Sequence, residues 1–242
     1  MEHITNQQTV GEIVKKTPEA ASFFRKLDID FCCGGNLTLK SVCEKKGLKY
    51  EDVLKGLTQL SNKGIDTKQL NFEEMSLSFL VDYIYNVHHK YLYENLPEIH
   101  FFVDKVYNKH KEKYEWLSEL HTLYIELEKD LIGHMPKEEN ILFPYIKELE
   151  SKKALTEKPF FGTVKNPLVV MNEEHDRAGE IVHRLRIITN NYTPVADACN
   201  SHMVMLANLK ELDDDLIQHI HLENNILFPK IVDLEQKFIS IN

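Results

Sequence analysis

The chain has 242 residues, enough for one sizeable core or two smaller ones, so it needs no cross-link merely to fold. Nine Gly and eight Pro are roughly 7% of the residues against a usual ~12%, too few turn-formers for a sandwich or barrel of many short strands. With 38 acidic and 29 basic side chains the formal charge is −9, which argues against nucleic acid or an anionic membrane as a partner.

Residues 1-60 read as a small helical domain. Val10, Ile13 and Val14 form one apolar stripe. Ala20, Phe23, Phe24 and Leu27 form the next, with Thr17 expected as N-cap and Pro18 in the first turn. Phe31-Cys32-Cys33-Gly34-Gly35-Asn36 is a loop; Leu39, Val42 and Cys43, then Val53, Leu54, Leu57 and Leu60, mark two more helices. Residues 61-73 are polar without a sustained apolar period and are assigned as a linker. Over 74-242 there are four long helical patterns, at 74–108, 112–150, 164–190 and 195–236, parted by stretches such as Thr156 to Gly162 and Asn190 to Pro194. The expected class is all-α, with an antiparallel four-helix bundle as the second domain. Neither a basic-then-apolar leader over Met1 to Val10 nor a run of ~18 apolar residues is present, so a soluble cytoplasmic protein is expected.

An internal repeat carries the chemistry. Residues 134–146 align with 219–231 without a gap, both reading His-x3-Glu and then Asn-Ile-Leu-Phe-Pro. Going back 45 and 44 residues reaches His89 and His175 on the preceding helices. Leu127, Leu131, His134, Glu138 and Leu142 share one helical stripe, and Leu209, Leu212, Leu216, His219, Glu223 and Leu227 share another, so both His–Glu pairs point inward. His175 fits a stripe with Leu168, Met171, Gly179 and Val182; His89 fits Val81, Tyr85, Leu92 and Leu96, with His88 one register step away. Four imidazoles and two carboxylates are costly to desolvate unless a metal compensates them. The bland alternative is a metal-free bundle with satisfied core histidines. Donor counting favours two ions, each held by two His, with Glu138 and Glu223 bridging; imidazole plus carboxylate without thiolate suits iron or manganese. An oxo or hydroxo bridge would leave about one of six positions open on each ion. The His-first, i, i+4 order points away from the Glu-x-x-His pattern of ferritin-like sites.

Asp130 and Asp215 each precede the ligand histidine by four residues and are candidate outer groups that orient an imidazole or lie beside the path to the metals; a solvated or interhelical carboxylate is the alternative. Glu139 is matched by Asn224 and breaks the symmetry that Glu138 keeps. Pro136, between two ligands, predicts a kink or interrupted hydrogen bonding. His3, His100, His110, His121, His183, His202 and His221 have no counterpart and read as surface or ordinary core. Cys32 and Cys33 are neighbours, poor geometry for a structural cross-link, and read as reduced thiols. Asn36 and Thr38 are N-cap candidates for the helix that follows, which would lower thiol pKa values and allow nucleophilic, redox or transient metal-binding roles; small turn and core residues are the alternative. Cys43 and Cys199 read as structural.

Together, Phe31-Cys32-Cys33-Gly34-Gly35, His134-x3-Glu138, Glu174-His175-Asp176 and His219-x3-Glu223 resemble the di-iron proteins for repair of iron centres, over nearly the whole chain. The resemblance implies a hemerythrin-like second domain and two non-haem iron ions held by His89, His134, Glu138, His175, His219 and Glu223, with Glu174 as an outer residue. It implies a cytoplasmic stress-response protein, often a homodimer, whose partners are damaged iron-sulfur proteins, nitric oxide or oxygen, and an electron donor. Two chemistries fit that role: iron donation to an apo-cluster, and nitric oxide reductase-like activity, with Cys32 and Cys33 passing electrons, handling NO or accepting iron. The competing class is a hemerythrin-type module that binds or senses oxygen or nitric oxide without turnover.

Overall fold

A computed structural model describes residues 5, 7–17, 20–32, 34–61, 71–152 and 159–241. Pro18, Cys33, His3, 62–70 of the assigned linker and 156–158 lie outside them. Among the described residues every regular element is helical, and the β-type pairing is one isolated bridge, Thr9 to Thr38.

The first four helices are short and capped by their own sequence. Helix α1 (Val10–Lys16) opens on a capping box: Glu12 N–H donates to Thr9 Oγ1 at 3.1 Å and Thr9 N–H to the Glu12 carboxylate at 2.9 Å. Thr17 closes α1, its N–H donating to Ile13 O at 2.8 Å, and its carbonyl accepts from Ala20 N–H at 2.8 Å at the entry to the next helix. Helix α2 (Ala20–Lys26) follows, then α3 (Leu39–Lys46), capped by the Thr38 hydroxyl and ended by Gly47 in the left-handed region at φ 66°, and α4 (Tyr50–Ser61). Val10, Phe24, Phe31, Leu39 and Leu57 form their common core, and Ile217 from a later helix packs against it.

Four rods build the rest. The first joins α5 (Leu77–Tyr83), a π-helical turn (Ile84–His89) and α6 (Lys90–His110). The second joins α7 (Trp116–Lys137), a π turn (Glu138–Leu142) and α8 (Phe143–Ser151). The third is α9 (Lys165–Ile188), and the fourth joins α10 (Asn200–Leu222), a π turn (Glu223–Leu227) and α11 (Phe228–Ile241). Helix α6 packs on α7 and α10, and α7 on α9. The separating stretch expected at Asn190 to Pro194 is a turn in which Asn190, Asn191 and Tyr192 take φ of 49°, 55° and 57°, which no right-handed helix tolerates, and it runs on to Cys199, so the fourth rod starts at Asn200 and not at 195.

The repeat also anchors the rods. Glu150 and Glu235 each stand twelve residues after the repeat glutamate. Glu150 accepts from Leu77 N–H at 2.7 Å and Ser78 N–H at 2.8 Å; Glu235 accepts from Val164 N–H at 2.9 Å. Each hairpin thus ends on a carboxylate that satisfies the orphan amides where it began. Pro136 has no N–H to donate to Ile132 O, so one regular hydrogen bond is missing, yet it does not end the helix. Helix α7 runs through it to Lys137, and the change to π bonding that follows recurs at Ile84–His89 and Glu223–Leu227, where no proline precedes. No described helix is long and apolar enough to cross a membrane.

Candidate metal centre

Along each rod an apolar segment of one core gives way to site residues and then to a second core. Ile84, Leu142, Met171 and Leu227 belong to one cluster; Leu92, Leu131, Ala178 and Leu216 belong to the other. Between them His89, His134, Glu138, His175, His219 and Glu223 are buried, Glu138 and Glu223 completely. Three of the four rods pass through π turns here. A π turn closes i to i+5 and inserts one residue against the 3.6 period, re-aiming the side chains that follow. In the first rod this explains why Tyr85, placed on the inward stripe by periodicity, is exposed while Ile84 is buried.

The six side chains form two cages. His89, Glu138, His219 and Glu223 offer ligand atoms that lie within 4.8 Å of one another, and so do His134, Glu138, His175 and Glu223. Each cage therefore takes one histidine from each hairpin and both glutamates. Glu138 Oε2 is 3.3 Å from His89 Nε2 and 3.2 Å from His134 Nε2; Glu223 Oε2 is 3.2 Å from His175 Nε2 and 3.1 Å from His219 Nε2. Both oxygens of each glutamate, His89 Nε2 and both ring nitrogens of His219 are buried without a hydrogen bond. The carboxylate oxygens and the Nε2 atoms among these orphans face one another, an arrangement tolerated where a cation completes their coordination.

Burial lowers the His134 pKa but Glu138 and Glu174 outweigh it, pushing it up to about 10; His89 is raised by Glu138 in the same way. Burial and Glu223 raise the Glu138 carboxyl, yet His134 and His89 hold it below the ordinary range. Burial likewise raises Glu223, and His219 and His175 overcome it to keep Glu223 well below that range. For His219 burial wins, and its pKa is lowered.

The outer groups differ from the sequence expectation. Asp215 does accept from an imidazole, but that of His88, Nδ1 to Oδ1 2.8 Å, and Asp130 faces Arg177 Nε at 3.1 Å. The acceptors at the site histidines are Glu139 on His89 Nδ1 at 2.8 Å, Glu174 on His134 Nδ1 at 2.8 Å and Asn224 on His175 Nδ1 at 2.7 Å. Glu139 and Asn224 are equivalent repeat positions, so they do keep the symmetry in role; both offer a side-chain oxygen, a signal that residue identity concealed. His134 and Lys137 hold the Glu174 carboxyl down to about 2. His88 is buried outside the cages, stacked on His219 with ring centroids 5.4 Å apart.

A cavity of about 10 Å³, lined by Asp130, His134, His175, Ala178, Leu216 and His219 among others, abuts the centre; that is room for about one water-sized molecule. Ala178, Leu216 and Ile220 also wall a larger cleft of about 410 Å³ between the N-terminal helices and the bundle, on which Cys32 opens. Cys32 does not sit at a helix N-terminus. Its thiol donates to Asp30 Oδ1 at 3.1 Å, and the Asp30 carboxylate also accepts from the N–H groups of Cys32 and Gly34 at 2.9 and 2.8 Å. Cys43 is buried among the N-terminal helices, and Cys199 is exposed at the start of α10 with Sγ 3.4 Å from His110 Nε2.

Helical rods that bury such histidine–glutamate cages define a hemerythrin-type cation-binding protein, and the hemerythrin HHE cation binding domain family matches residues 81–231. A family described as a domain of unknown function (DUF542) matches residues 6–61. The probable iron-sulfur cluster repair protein of Haemophilus influenzae is 35% identical over 231 residues, 94% of this chain and 97% of the relative. The iron-sulfur cluster repair protein YtfE of Enterobacter sp. is 37% identical over 223 residues, 92% of this chain and 96% of the relative. That of Citrobacter koseri is 36% identical with the same coverage. The chain belongs to this family of iron-sulfur cluster repair proteins. Its imidazole and carboxylate donors, without thiolate, fit iron.

Proposed function

We propose that the two cages hold two iron ions, with the carboxylates of Glu138 and Glu223 common to both, and that the centre serves the repair of iron-sulfur proteins damaged by nitric oxide or oxidants. The observation that carries this reading is that both glutamates lie within ligand reach of both histidine pairs. Bound iron supplies reducing electrons and an open position for a diatomic ligand. The chain's own groups do the rest. Glu139, Glu174 and Asn224 fix the imidazoles with Nε2 toward the centre, and the apolar cores on either side exclude water. The N-terminal unit, 1-60, joined through 61-73 to the bundle 74-242, brings Cys32 to the cleft, and Cys32 with its neighbour in sequence Cys33 serves as the acceptor or relay for iron or electrons.

Iron donation is the reading the electrostatics favour. When a cage empties, His134 takes up a proton beside Glu138, so departure of the cation does not strand bare carboxylates in the core. The cavity beside the centre favours a second activity, reduction of two NO by two electrons and two protons to nitrous oxide and water. The test loads the protein with ferrous iron and mixes it, without oxygen, with an apo iron-sulfur protein or with NO. Cluster reconstitution with loss of iron from this chain is the expected result. Retention of all iron beside an unreconstituted client overturns donation; nitrous oxide supports the second activity, and reversible spectra with neither product identify a binding module.

A further inference from the structure

We infer that Asn225 is a latch that positions the Cys32 loop on the second hairpin of the metal centre. The repeat supplies the comparison. Asn140 and Asn225 are equivalent, each two residues after its glutamate and within a π turn. Asn140 is exposed and its amide donates back to Pro136 O at 2.7 Å; Asn86 and Asn95 do likewise to Asp82 O at 2.7 Å and Tyr91 O at 2.8 Å. This back-bond is the ordinary local solution for asparagine in a helix.

Asn225 departs from it. Its amide reaches out of the rod to Cys32 O at 3.3 Å and Phe31 O at 3.5 Å, and lies 3.3 Å from His221 Nδ1. Its Oδ1 fills space that exists only because two facing residues lack side chains: a Cβ on Gly11 or on Gly35 would stand 2.5 Å from it. Those glycines are themselves joined, Gly11 N–H donating to Gly35 O at 2.9 Å, so α1 and the cysteine loop meet the π turn as one surface. Beside the latch, His221 is buried with its ring edge-on to Phe31 at 5.6 Å; the equivalent position in the first hairpin is the exposed Pro136. Thus two of the positions at which the hairpins diverge, 136/221 in identity and 140/225 in conformation, are those that receive the loop. Since Glu223 and Asn225 share one π turn, the loop is registered against the centre itself. The latch is a matter of this chain's packing and rests on the proposed function only for its consequence, that a thiol is kept beside the iron.

The test is the alkylation rate of Cys32 in the full-length metal-free chain, resolved to the residue by fragment mass spectrometry, with exposed Cys199 as internal reference. In N225A the Cys32 rate should rise about tenfold, as expected for about 1.4 kcal/mol of lost closure, while Cys199 is unchanged and N140A behaves as the parent. G35A, which presses a Cβ on the same contact from the loop's side, should also accelerate Cys32 and serves if N225A does not fold. Equal Cys32 rates in the parent and a folded N225A overturn the latch. Iron content measured on the same samples reports separately: a parent chain that binds no iron contradicts the di-iron reading and leaves the alkylation result standing.

Discussion

Replacing Glu139 by alanine tests whether the imidazoles are held from outside as the geometry requires. His89 is fully buried and its Nδ1–H has Glu139 Oε1 at 2.8 Å as its partner. Truncation leaves that donor unsatisfied in the core, a cost of about 1–3 kcal/mol. The cost falls most heavily on the metal-bound form, in which His89 must present an unprotonated Nε2 and keep its one proton on Nδ1. Iron affinity should therefore fall roughly tenfold to a hundredfold, measured by chelator competition under anaerobic conditions. Glu139→Gln, which keeps an acceptor oxygen, should recover most of the loss. An alanine variant that binds iron as tightly as the parent would refute the reasoning, and a glutamine variant as weak as alanine would show that charge rather than hydrogen bonding matters.

Four further outcomes follow. With the His134 pKa near 10 in the metal-free chain, iron binding at neutral pH should release at least about one proton, and affinity should weaken about tenfold per pH unit lost for each proton, readable by calorimetry in buffers of different ionisation enthalpy. The same raised pKa stabilises the metal-free fold fully below about pH 6.5 and is lost as pH rises through 10, so the Tm of the metal-free protein should fall across that window and that of the iron-loaded protein should not. Pro136→Ala should leave iron stoichiometry unchanged, since the π turns form without a proline elsewhere; loss of iron would contradict that. Asp130→Asn removes the partner of Arg177 on the wall of the small cavity beside the centre and should change stability by less than about 1 kcal/mol with iron retained, whereas Asp215→Asn disturbs buried His88; a larger iron loss at Asp130 would show that its carboxylate serves the centre.

Much of this was legible because a repeat doubles every signal. One histidine on an apolar stripe says little, but His134 and Glu138 recur as His219 and Glu223 with identical stripes, and the structure brings all six repeat-selected residues into two cages. What stayed hidden has physical causes. A π turn inserts a residue that no 3.6 template contains, so the stripe that rightly selected His89 wrongly put Tyr85 inward and left buried Ile84 and His88 off it. Glu139 and Asn224 were set aside because their identities differ, though an imidazole N–H needs only an oxygen. Asp130 and Asp215 match as letters but divide the expected roles: Asp215 accepts from an imidazole, that of His88, while Asp130 pairs with Arg177 on the wall of the cavity beside the centre. The seating of Gly11 and Gly35 on Asn225 joins residues some two hundred positions apart and leaves no periodic trace.

Elemental analysis joined to Mössbauer spectroscopy of the iron-57-loaded protein tests the central claim most directly. Two irons per chain, magnetically coupled in the oxidised state and lost together when Glu138 or Glu223 is replaced by alanine, is the predicted result. One iron per chain, or two that show no coupling, would contradict a shared pair of carboxylates.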